Sequence, residues 1–329
     1  MIIPFISSFS GKLSGKITQG VGGLYSVRIL TGEPSLLGKT LTCRARGALK
    51  HNNTSLLVGD NVTLSPIRSN EPDKNIFDCE YVVDTICERK NALIRPPIAN
   101  LDYIFITLSA AAPSPILSNV DKLISISEFN KIEPIIVITK CELDPVYSKT
   151  LTEIYEKSGF TVFCLSALEQ IAVEPIDEFI KSELTGKLAA FAGASGIGKS
   201  TLLNRLFPTL SLSTSEISQK IQRGKHTTRK VEIFPVTDNP DSINCGYIAD
   251  TPGFSMLDFE RFDFFEKDDL IYTMRDFTPF IGSCKYKKCS HTKEEGCSIL
   301  QAVKDGIIAK SRHDSYCELY NVLKSKTKW

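Results

Sequence analysis

The 329-residue sequence predicts a multidomain α/β protein made of three parts. Short strands separated by glycines over residues 1–75 indicate a small β-barrel. Apolar strands alternate with amphipathic helices over residues 76–265, a pattern typical of a mainly parallel sheet covered on both faces. Residues 266–329 are more polar, read as helical, and contain a compact group of cysteines and a histidine.

The barrel prediction rests on five short segments that are rich in apolar and β-branched residues. They are 15–18, 24–29, 39–44, 55–58 and 61–64. Turns such as Gly22-Gly23 separate them, and the polar loop 70–73 marks the end of this part. The apolar stretch from Met1 to Phe9 lacks the basic flank and cleavage site of a signal peptide, so we interpret it as a first strand.

The α/β part is predicted from six apolar strands with helices between them. The strands are 103–107, 134–138, 161–165, 188–192, 231–234 and 246–249, and the clearest helices are 148–158 and 173–182. No apolar run approaches the 18 or so residues that a membrane-spanning helix needs, so we expect no membrane contact. The sequence contains no feature that requires an oligomer, so we expect a monomer.

Charge and cysteine usage suggest a setting for the chain. Residues 1–75 and 284–329 each carry a net charge of +5, and the segment between them carries −9. Basic ends suggest a polyanionic partner, although ordinary solvated surface charge explains them equally well. Most of the ten cysteines stand alone in apolar stretches, which indicates a reducing cytosol and not a disulfide framework.

The strongest motif is a phosphate-binding loop that follows the strand 188–192 and leads into a helix. It reads Gly193-Ala194-Ser195-Gly196-Ile197-Gly198-Lys199-Ser200. Its glycines let backbone N–H groups turn toward phosphates, and the helix N-terminus adds partial positive charge. Lys199 is expected to reach the β- and γ-phosphates and Ser200 to ligate Mg²⁺. We assign all eight residues and the following Thr201 to nucleotide binding.

Two later elements have the order expected of a metal-dependent nucleotide hydrolase. Asp250-Thr251-Pro252-Gly253 follows the strand 246–249, so Asp250 is a candidate for the Mg²⁺ shell and Gly253 for a contact to the γ-phosphate. The polar loop 224–229 lies between this element and the phosphate loop. One of its threonines, which we assign as Thr228, is expected to complete the magnesium site.

Two base-reading elements stand upstream of the phosphate loop. Thr139-Lys140-Cys141-Glu142 follows one buried strand, and Ser166-Ala167 follows the next. In GTPases an [NT]-K-x-D element reads guanine through its carboxylate, and a Ser-Ala element supports the guanine carbonyl. Both normally come after the phosphate loop, so the nucleotide domain is predicted to be circularly permuted, with the same sheet and different connections.

This order of motifs resembles the ribosome small-subunit-dependent GTPase A family, whose members are bacterial ribosome-assembly factors. The resemblance covers nearly the whole chain, including the segments 43–47, 58–60 and 95–102. It implies an OB-fold over 1–75, a permuted P-loop GTPase domain over 76–265 and a zinc-binding helical domain over 266–329. It also implies GTP and GDP as ligands, cytoplasmic location, and binding to small-subunit rRNA near the decoding region during late maturation.

Two residues depart from the usual guanine-reading motif. Glu142 stands where the family usually has Asp, and Thr139 stands where many GTPases have Asn. Glutamate keeps the carboxylate but lengthens the arm by one methylene, which leaves guanine selectivity open. Asp144 lies two residues too late for the usual register.

The group that orients the attacking water is not supplied by the usual position. Many GTPases use a glutamine directly after the D-x-x-G element, and Phe254 stands there in this chain. His226, in the loop 224–229, is the best alternative, and the resemblance supports it. A loop histidine bonded to the backbone is the competing interpretation. Turnover is therefore expected to be slow until a partner orders this loop.

The C-terminal part contains a predicted structural zinc site. Cys284, Cys289, His291 and Cys297 supply four ligands within 14 residues. Three thiolates and one imidazole match a closed tetrahedral zinc site without catalytic function. A disulfide or unconnected thiols are the alternatives. Intervening lysines suggest that this knuckle faces a polyanion, whereas His313 and Cys317 are interpreted as structural.

Two other functions remain open from the sequence. An ATP-using P-loop enzyme, such as a kinase, would differ in its nucleotide preference. An RNA-binding module that keeps nucleotide as a structural ligand would show no turnover even with ribosomes present.

Overall fold

A computed structural model describes residues 13–47, 49, 55–67, 79–94, 96–208, 231–236, 239, 242–250 and 265–325. The chain divides into two compact units. The barrel unit comprises Met1–Leu101, Glu183–Ala190 and Lys225–Pro252, and the P-loop unit comprises Asp102–Ser182, Phe191–Gly224 and Gly253–Trp329. The domain boundaries at 75/76 and 265/266 remain predictions, and the N-terminal strand proposed within Met1 to Phe9 lies outside the described residues.

The barrel unit contains the OB-like barrel that the sequence predicted. Its five strands are β1 (Leu13–Val21), β2 (Leu24–Thr31), β3 (Thr40–Ala45), β4 (Asn61–Pro66) and β5 (Tyr81–Ile86). Strands β1, β2 and β3 pair antiparallel in sequence, β3 pairs parallel with β5, and β4 pairs antiparallel with both β5 and β1. The ring of pairings closes the sheet, and apolar side chains such as Ile17, Val27 and Val62 fill its interior.

One predicted barrel strand is wrong. The segment 55–58 is not a strand, because the chain turns at Gly59 (φ +89°) and Val58 makes only an isolated bridge with Ile98. A Cβ on Gly59 would lie 2.1 Å from the carbonyl oxygen of Ala99, so this close approach requires glycine. The fifth strand of the barrel is β5, which begins at Tyr81, beyond the predicted end of this part of the chain.

The barrel unit also holds four further strands outside the ring. They are β6 (Ala92–Leu93), β7 (Ile98–Ala99), β12 (Glu232–Val236) and β13 (Gly246–Asp250), and the first residues of β11 (Leu188–Ala192) join them. Strand β13 pairs parallel with β11 and antiparallel with β12. Strand β12 in turn pairs with the barrel strand β1 at Gln19 and Glu232. The strands predicted at 231–234 and 246–249 are thus confirmed.

The P-loop unit contains the parallel sheet of the predicted α/β part. Its strands β8 (Tyr103–Ser109), β9 (Glu133–Thr139) and β10 (Thr161–Cys164) pair parallel in the order β10-β9-β8. The helices of this part are α1 (Leu117–Phe129), α2 (Pro145–Lys157), α3 (Glu174–Glu183) and α4 (Lys199–Leu206). Phe179 of α3 packs edge-on against Tyr103, Phe105 and Phe163, which covers one face of the sheet.

The C-terminal segment is helical, as predicted, and it belongs to the same compact unit as the phosphate loop. Two 3-10 turns, Leu270–Thr273 and Arg275–Phe280, precede α5 (Ser298–Lys304) and α6 (Lys310–Ser325). None of the helices in the described part of the chain has the length and apolarity that crossing a bilayer requires.

A buried ion triad joins α6 to the rest of the P-loop unit. Arg312 has no exposed surface and bonds to Asp121 of α1 and, at 3.0 Å, to Asp276. Burial alone would lower the pKa of Arg312, yet the two carboxylates raise it above its usual value. The guanidinium also lies 5.4 Å from the ring centroid of Phe160. These contacts fix the C-terminal helix against the sheet that carries the base-reading elements.

Candidate functional site

The predicted phosphate loop lies between the end of β11 and the start of α4. Gly193, Gly196 and Gly198 have φ angles of +149°, +79° and +92°, a region in which glycine is strongly favoured. A Cβ on Gly193 would lie 2.4 Å from both the carbonyl oxygen of Thr107 and the side chain of Ile197. The glycines of the motif are therefore required by the backbone path of the loop.

The loop presents its outer face to solvent and anchors its inner face. Ala194, Ser195 and Gly196 are exposed, whereas the side chain of Ile197 is buried. Lys199 extends back over the loop, with Nζ 3.5 Å from the carbonyl oxygen of Gly193. Ser200 and Thr201 are half-buried in the first turn of α4. This arrangement suits a bound phosphate, which the N–H groups of a helix N-terminus stabilise.

The first base-reading element contacts the phosphate loop directly. Thr139, which ends β9, is 1% exposed, and its hydroxyl donates to the carbonyl oxygen of Ile197 at 2.5 Å. Lys140, with φ +58°, donates from Nζ to Gly196 at 2.9 Å and to the carbonyl oxygen of Ala112 at 2.6 Å. Both side chains therefore hold the loop in place. Nothing in the sequence indicated that Ala112 accepts a bond from Lys140, because Ala112 does so through its backbone carbonyl.

Glu142 has an unsatisfied buried atom. Its Oε2 is inaccessible to solvent and has no hydrogen-bond partner among the described residues. A buried carboxylate oxygen without a donor is unfavourable, and a ligand N–H group would satisfy it. Asp144 is not an alternative base reader, because its side chain caps α2 by accepting a bond from the backbone N–H of Tyr147 at 2.9 Å.

The second base-reading element lies beside the first. The backbone N–H of Leu165 donates to Ile138 at 2.8 Å, so the chain enters this element directly from the pairing of β9 and β10. Ser166 is buried, and its hydroxyl accepts a bond from the backbone N–H of Glu169 at 3.1 Å. Ala167 is half-buried at the start of the loop. The two elements therefore occupy neighbouring positions at one edge of the parallel sheet.

The remaining predicted site residues are described in part or not at all. His226, Thr228 and Gly253 lie outside the described residues. Asp250 ends β13 and pairs across the sheet with Glu232, which is consistent with a residue at the carboxyl end of a strand. The assignments of a catalytic histidine and of the magnesium ligands remain predictions.

The four predicted zinc ligands converge. Sγ of Cys284 and Sγ of Cys297 lie 3.4 and 3.5 Å from Nδ1 of His291 and 3.8 Å from each other. All four ligand atoms, including Sγ of Cys289, lie within 4.8 Å of one another. Zn–S bonds of about 2.3 Å and a Zn–N bond of about 2.0 Å in a tetrahedron place ligand atoms about 3.5–3.8 Å apart. The cluster therefore fits a zinc ion.

Neighbouring groups orient this cluster. Backbone N–H groups of Ser298 and His291 donate to Sγ of Cys284 and Cys289, both at 3.4 Å. Nε2 of His313 lies 2.7 Å from the carbonyl oxygen of His291. The backbone of His291 has a φ of +58°. Such contacts beyond the ligands fix ligand orientation in metal sites.

Two family models match the chain, one described as the RsgA N-terminal domain over residues 14–72 and one described as RsgA GTPase over residues 86–260. The second covers more than half of the sequence. The chain is 38% identical over 317 residues to the small ribosomal subunit biogenesis GTPase RsgA of Bacillus subtilis, covering 95% of this chain and 98% of that protein. It is 35% identical over 318 residues to the protein of the same name from Alkaliphilus metalliredigens, covering 96% and 99%.

Two solved structures share the fold. The crystal structure of YjeQ from Thermotoga maritima superimposes with a TM-score of 0.75 at 27% identity, covering 96% of this chain and 100% of that one. The structure of YloQ, described as a circularly permuted GTPase, gives a TM-score of 0.71 at 33% identity and covers 97% of each chain. The motif order, the geometry of the phosphate loop and these similarities agree, and the chain belongs to the RsgA GTPase family of circularly permuted GTP hydrolases.

Proposed function

We propose that this protein hydrolyses GTP to GDP and phosphate, and that the small ribosomal subunit stimulates the reaction during late subunit maturation. The observation that carries the proposal is the bonding of Thr139 and Lys140 to the backbone of the phosphate loop. A site that joins a base-reading element to a phosphate-binding loop is suited to a purine nucleoside triphosphate. The names of the relatives supply the ribosomal part of the proposal.

We assign guanine recognition to Glu142, with support from Ser166 and Ala167. The orphaned buried oxygen of Glu142 favours a ligand that offers N–H groups, as guanine does at its ring nitrogen and exocyclic amine. Adenine lacks these donors on that edge and would leave the carboxylate unpaired. The same argument predicts that the longer glutamate arm keeps the preference for GTP over ATP.

We propose that the phosphates are held by the residues Gly193 to Ser200 together with Thr201 and Gly253. Mg²⁺ would be held by Ser200, Thr228 and Asp250, and when bound it neutralises charge that develops on the phosphates. Lys199 would stabilise the same charge. His226 would orient the attacking water, and Thr228 would act with it from the same loop.

We propose that order in the segment 224–229 is transmitted through β12 to the barrel strand with which β12 pairs. Strand β12 follows the loop that contains His226, and it pairs with barrel strand β1 at Gln19 and Glu232. Arg28 of β2 also donates to the carbonyl oxygen of Ser242 at 2.9 Å, between β12 and β13. When nucleotide binding orders the segment 224–229, the change would reach the barrel, and OB-fold barrels bind RNA through their surface.

We further propose that the cluster of three cysteines and one histidine binds one structural zinc ion and helps the basic C-terminal segment to contact rRNA. Lys285, Lys287, Lys288 and Lys293 lie between the ligands. Positive charge placed around a closed zinc site favours phosphate contacts. We expect the protein to act as a monomer in the cytoplasm, where ribosomal subunits mature.

The test is phosphate release from GTP and from ATP, each with and without purified small ribosomal subunits. We expect strong stimulation of GTP turnover alone. His226→Ala should lower stimulated turnover by about 100-fold or more while GTP-analogue affinity stays the same. Thr227→Ala, in the same loop, is the matched control and should remain active. Equal turnover of both nucleotides, indifferent to ribosomes, would refute the proposal, and undetectable turnover under all conditions would favour a nucleotide-gated binding module.

A further inference from the structure

One cysteine lies in the first base-reading element, and another lies in the strand that leads to the second. Cys141 directly follows Lys140, and Cys164 ends β10 two residues before Ser166. Strands β9 and β10 pair parallel with Cys164 opposite Ile138. The backbone N–H of Cys141 donates to the carbonyl oxygen of Leu165 at 3.5 Å, which draws the first element toward the end of β10.

The two residues line one cleft that is open to solvent. The volume of this cleft is about 490 Å³, and its other wall is α2, including Ser148 and Thr152. Both residues are half-buried free cysteines. Burial, followed by the nearness of Cys164 and Glu142, raises the pKa of Cys141 to about 11. Cys141 is therefore mostly protonated at neutral pH, and its exchange with a disulfide needs a concentrated oxidant.

We propose that Cys141 and Cys164 form a reversible disulfide through exchange with a low-molecular-weight disulfide, and that the closed form binds guanine nucleotides weakly. The pair is separate from the zinc cluster, whose thiols are those of Cys284, Cys289 and Cys297. Nothing in the phosphate-transfer chemistry uses either thiol. The effect on nucleotide affinity rests on the proposed guanine site, whereas formation of the disulfide does not.

The exchange balances in two steps. The thiolate of one cysteine attacks a sulfur of the small disulfide R–S–S–R, forms a mixed disulfide and releases one R–S⁻, which takes up the proton. The second cysteine, as thiolate, then attacks the protein sulfur of the mixed disulfide and releases the second R–S⁻, which is also protonated. Two protein thiols are oxidised to one S–S bond, and the small disulfide is reduced by two electrons to two thiols.

Closure of the bond would disturb the site because a disulfide is much shorter than a contact between thiols. The S–S bond is about 2.05 Å long, so its formation draws Cys141 toward the end of β10. Its neighbours in the chain are Lys140, which holds Gly196 and Ala112, and Glu142. A displacement of about 1 Å in a positioning group reduces function by as much as about 100-fold.

The experiment uses the full-length, zinc-loaded protein treated with oxidised glutathione. Digestion with trypsin should then yield the peptide 141–149 linked to the peptide 158–181, detected by mass spectrometry and lost after reduction. The affinity for a fluorescent GDP analogue should fall at least tenfold on oxidation and recover with dithiothreitol. Zinc content is measured in parallel, so that damage to the zinc cluster is distinguished.

The variants separate the possible results. Cys164→Ser should bind GDP normally and lose its sensitivity to oxidised glutathione, whereas Cys87→Ser, which removes another half-buried thiol, should respond as the unmodified protein does. Absence of the linked peptide would overturn the disulfide. A linked peptide with unchanged GDP affinity would overturn its effect on the nucleotide. Weak GDP binding by the fully reduced protein would instead contradict the proposed guanine site. Formation of the disulfide would then be judged from the linked peptide alone.

Discussion

The bond between Thr139 and the phosphate loop offers a direct test of how the base-reading element supports nucleotide binding. Thr139 is 1% exposed, and its hydroxyl donates to the carbonyl oxygen of Ile197 at 2.5 Å, with Leu108 as a second acceptor at 3.2 Å. Thr139→Val keeps the branched shape and removes the hydroxyl. Thr139→Ser keeps the hydroxyl and removes only a methyl group.

The expected magnitude follows from the burial of this bond. Removing one partner of a buried hydrogen bond costs about 1–3 kcal/mol when the other partner is left without a replacement. Ile197 lies between Gly196 and Gly198, so the carbonyl that accepts this bond belongs to the phosphate loop itself. If the whole cost falls on the binding-competent loop, the dissociation constant for GDP rises by about 5- to 150-fold in Thr139→Val.

Equilibrium titration with a fluorescent GDP analogue measures this effect, and thermal unfolding without nucleotide checks that the variants are folded. We expect Thr139→Ser to bind within a few-fold of the unmodified protein. If Thr139→Val binds GDP as tightly as Thr139→Ser does, the hydroxyl does not support the loop and the reasoning fails. Weakening in Thr139→Ser alone would assign the effect to the lost methyl group.

Three further predictions concern other parts of the P-loop unit. Arg312→Met leaves the buried carboxylates of Asp121 and Asp276 without their cationic partner, so we expect the free energy of thermal or urea unfolding to fall by about 3–5 kcal/mol. Lys310→Met removes an exposed ion pair and should change stability by less than about 0.5 kcal/mol; similar losses in both would contradict the assignment. Gly193→Ala forces a Cβ to within 2.4 Å of a backbone carbonyl oxygen, and GDP affinity in the same titration should fall at least tenfold, so unchanged binding would count against the loop geometry. Elemental analysis should find one zinc ion per chain in the unmodified protein and in Cys317→Ser, and none in Cys297→Ser, which should also have a lower melting temperature; zinc retained by Cys297→Ser would argue against the ligand set.

Features encoded in short stretches of chain were predictable. The phosphate loop is one such feature, because the positive φ angles at Gly193, Gly196 and Gly198 impose a local glycine pattern. The zinc cluster is another, since its ligands fall within 14 residues and their chemistry is specific. The buried parallel strands of the P-loop unit were also found correctly, because each is a continuous apolar run.

The barrel shows where this reasoning stops. The segments 55–58 and 81–86 are both short and apolar, and local pattern does not decide which of them completes the sheet. The second does so because it pairs with both β3 and β4 and thereby satisfies their backbone groups. The first ends at the turn of Gly59.

The sequence by itself therefore determined the motifs, their order, the permuted GTPase fold and the family. Only the tertiary structure decided that Thr139 and Lys140 hold the phosphate loop, that Arg312 is neutralised by Asp121 across 191 positions of sequence, and that Cys141 and Cys164 line one cleft. Motifs depend on backbone conformation and side-chain chemistry within a few residues. Pairings between distant residues depend on which buried polar groups find partners once the chain has folded, and no local pattern records that choice.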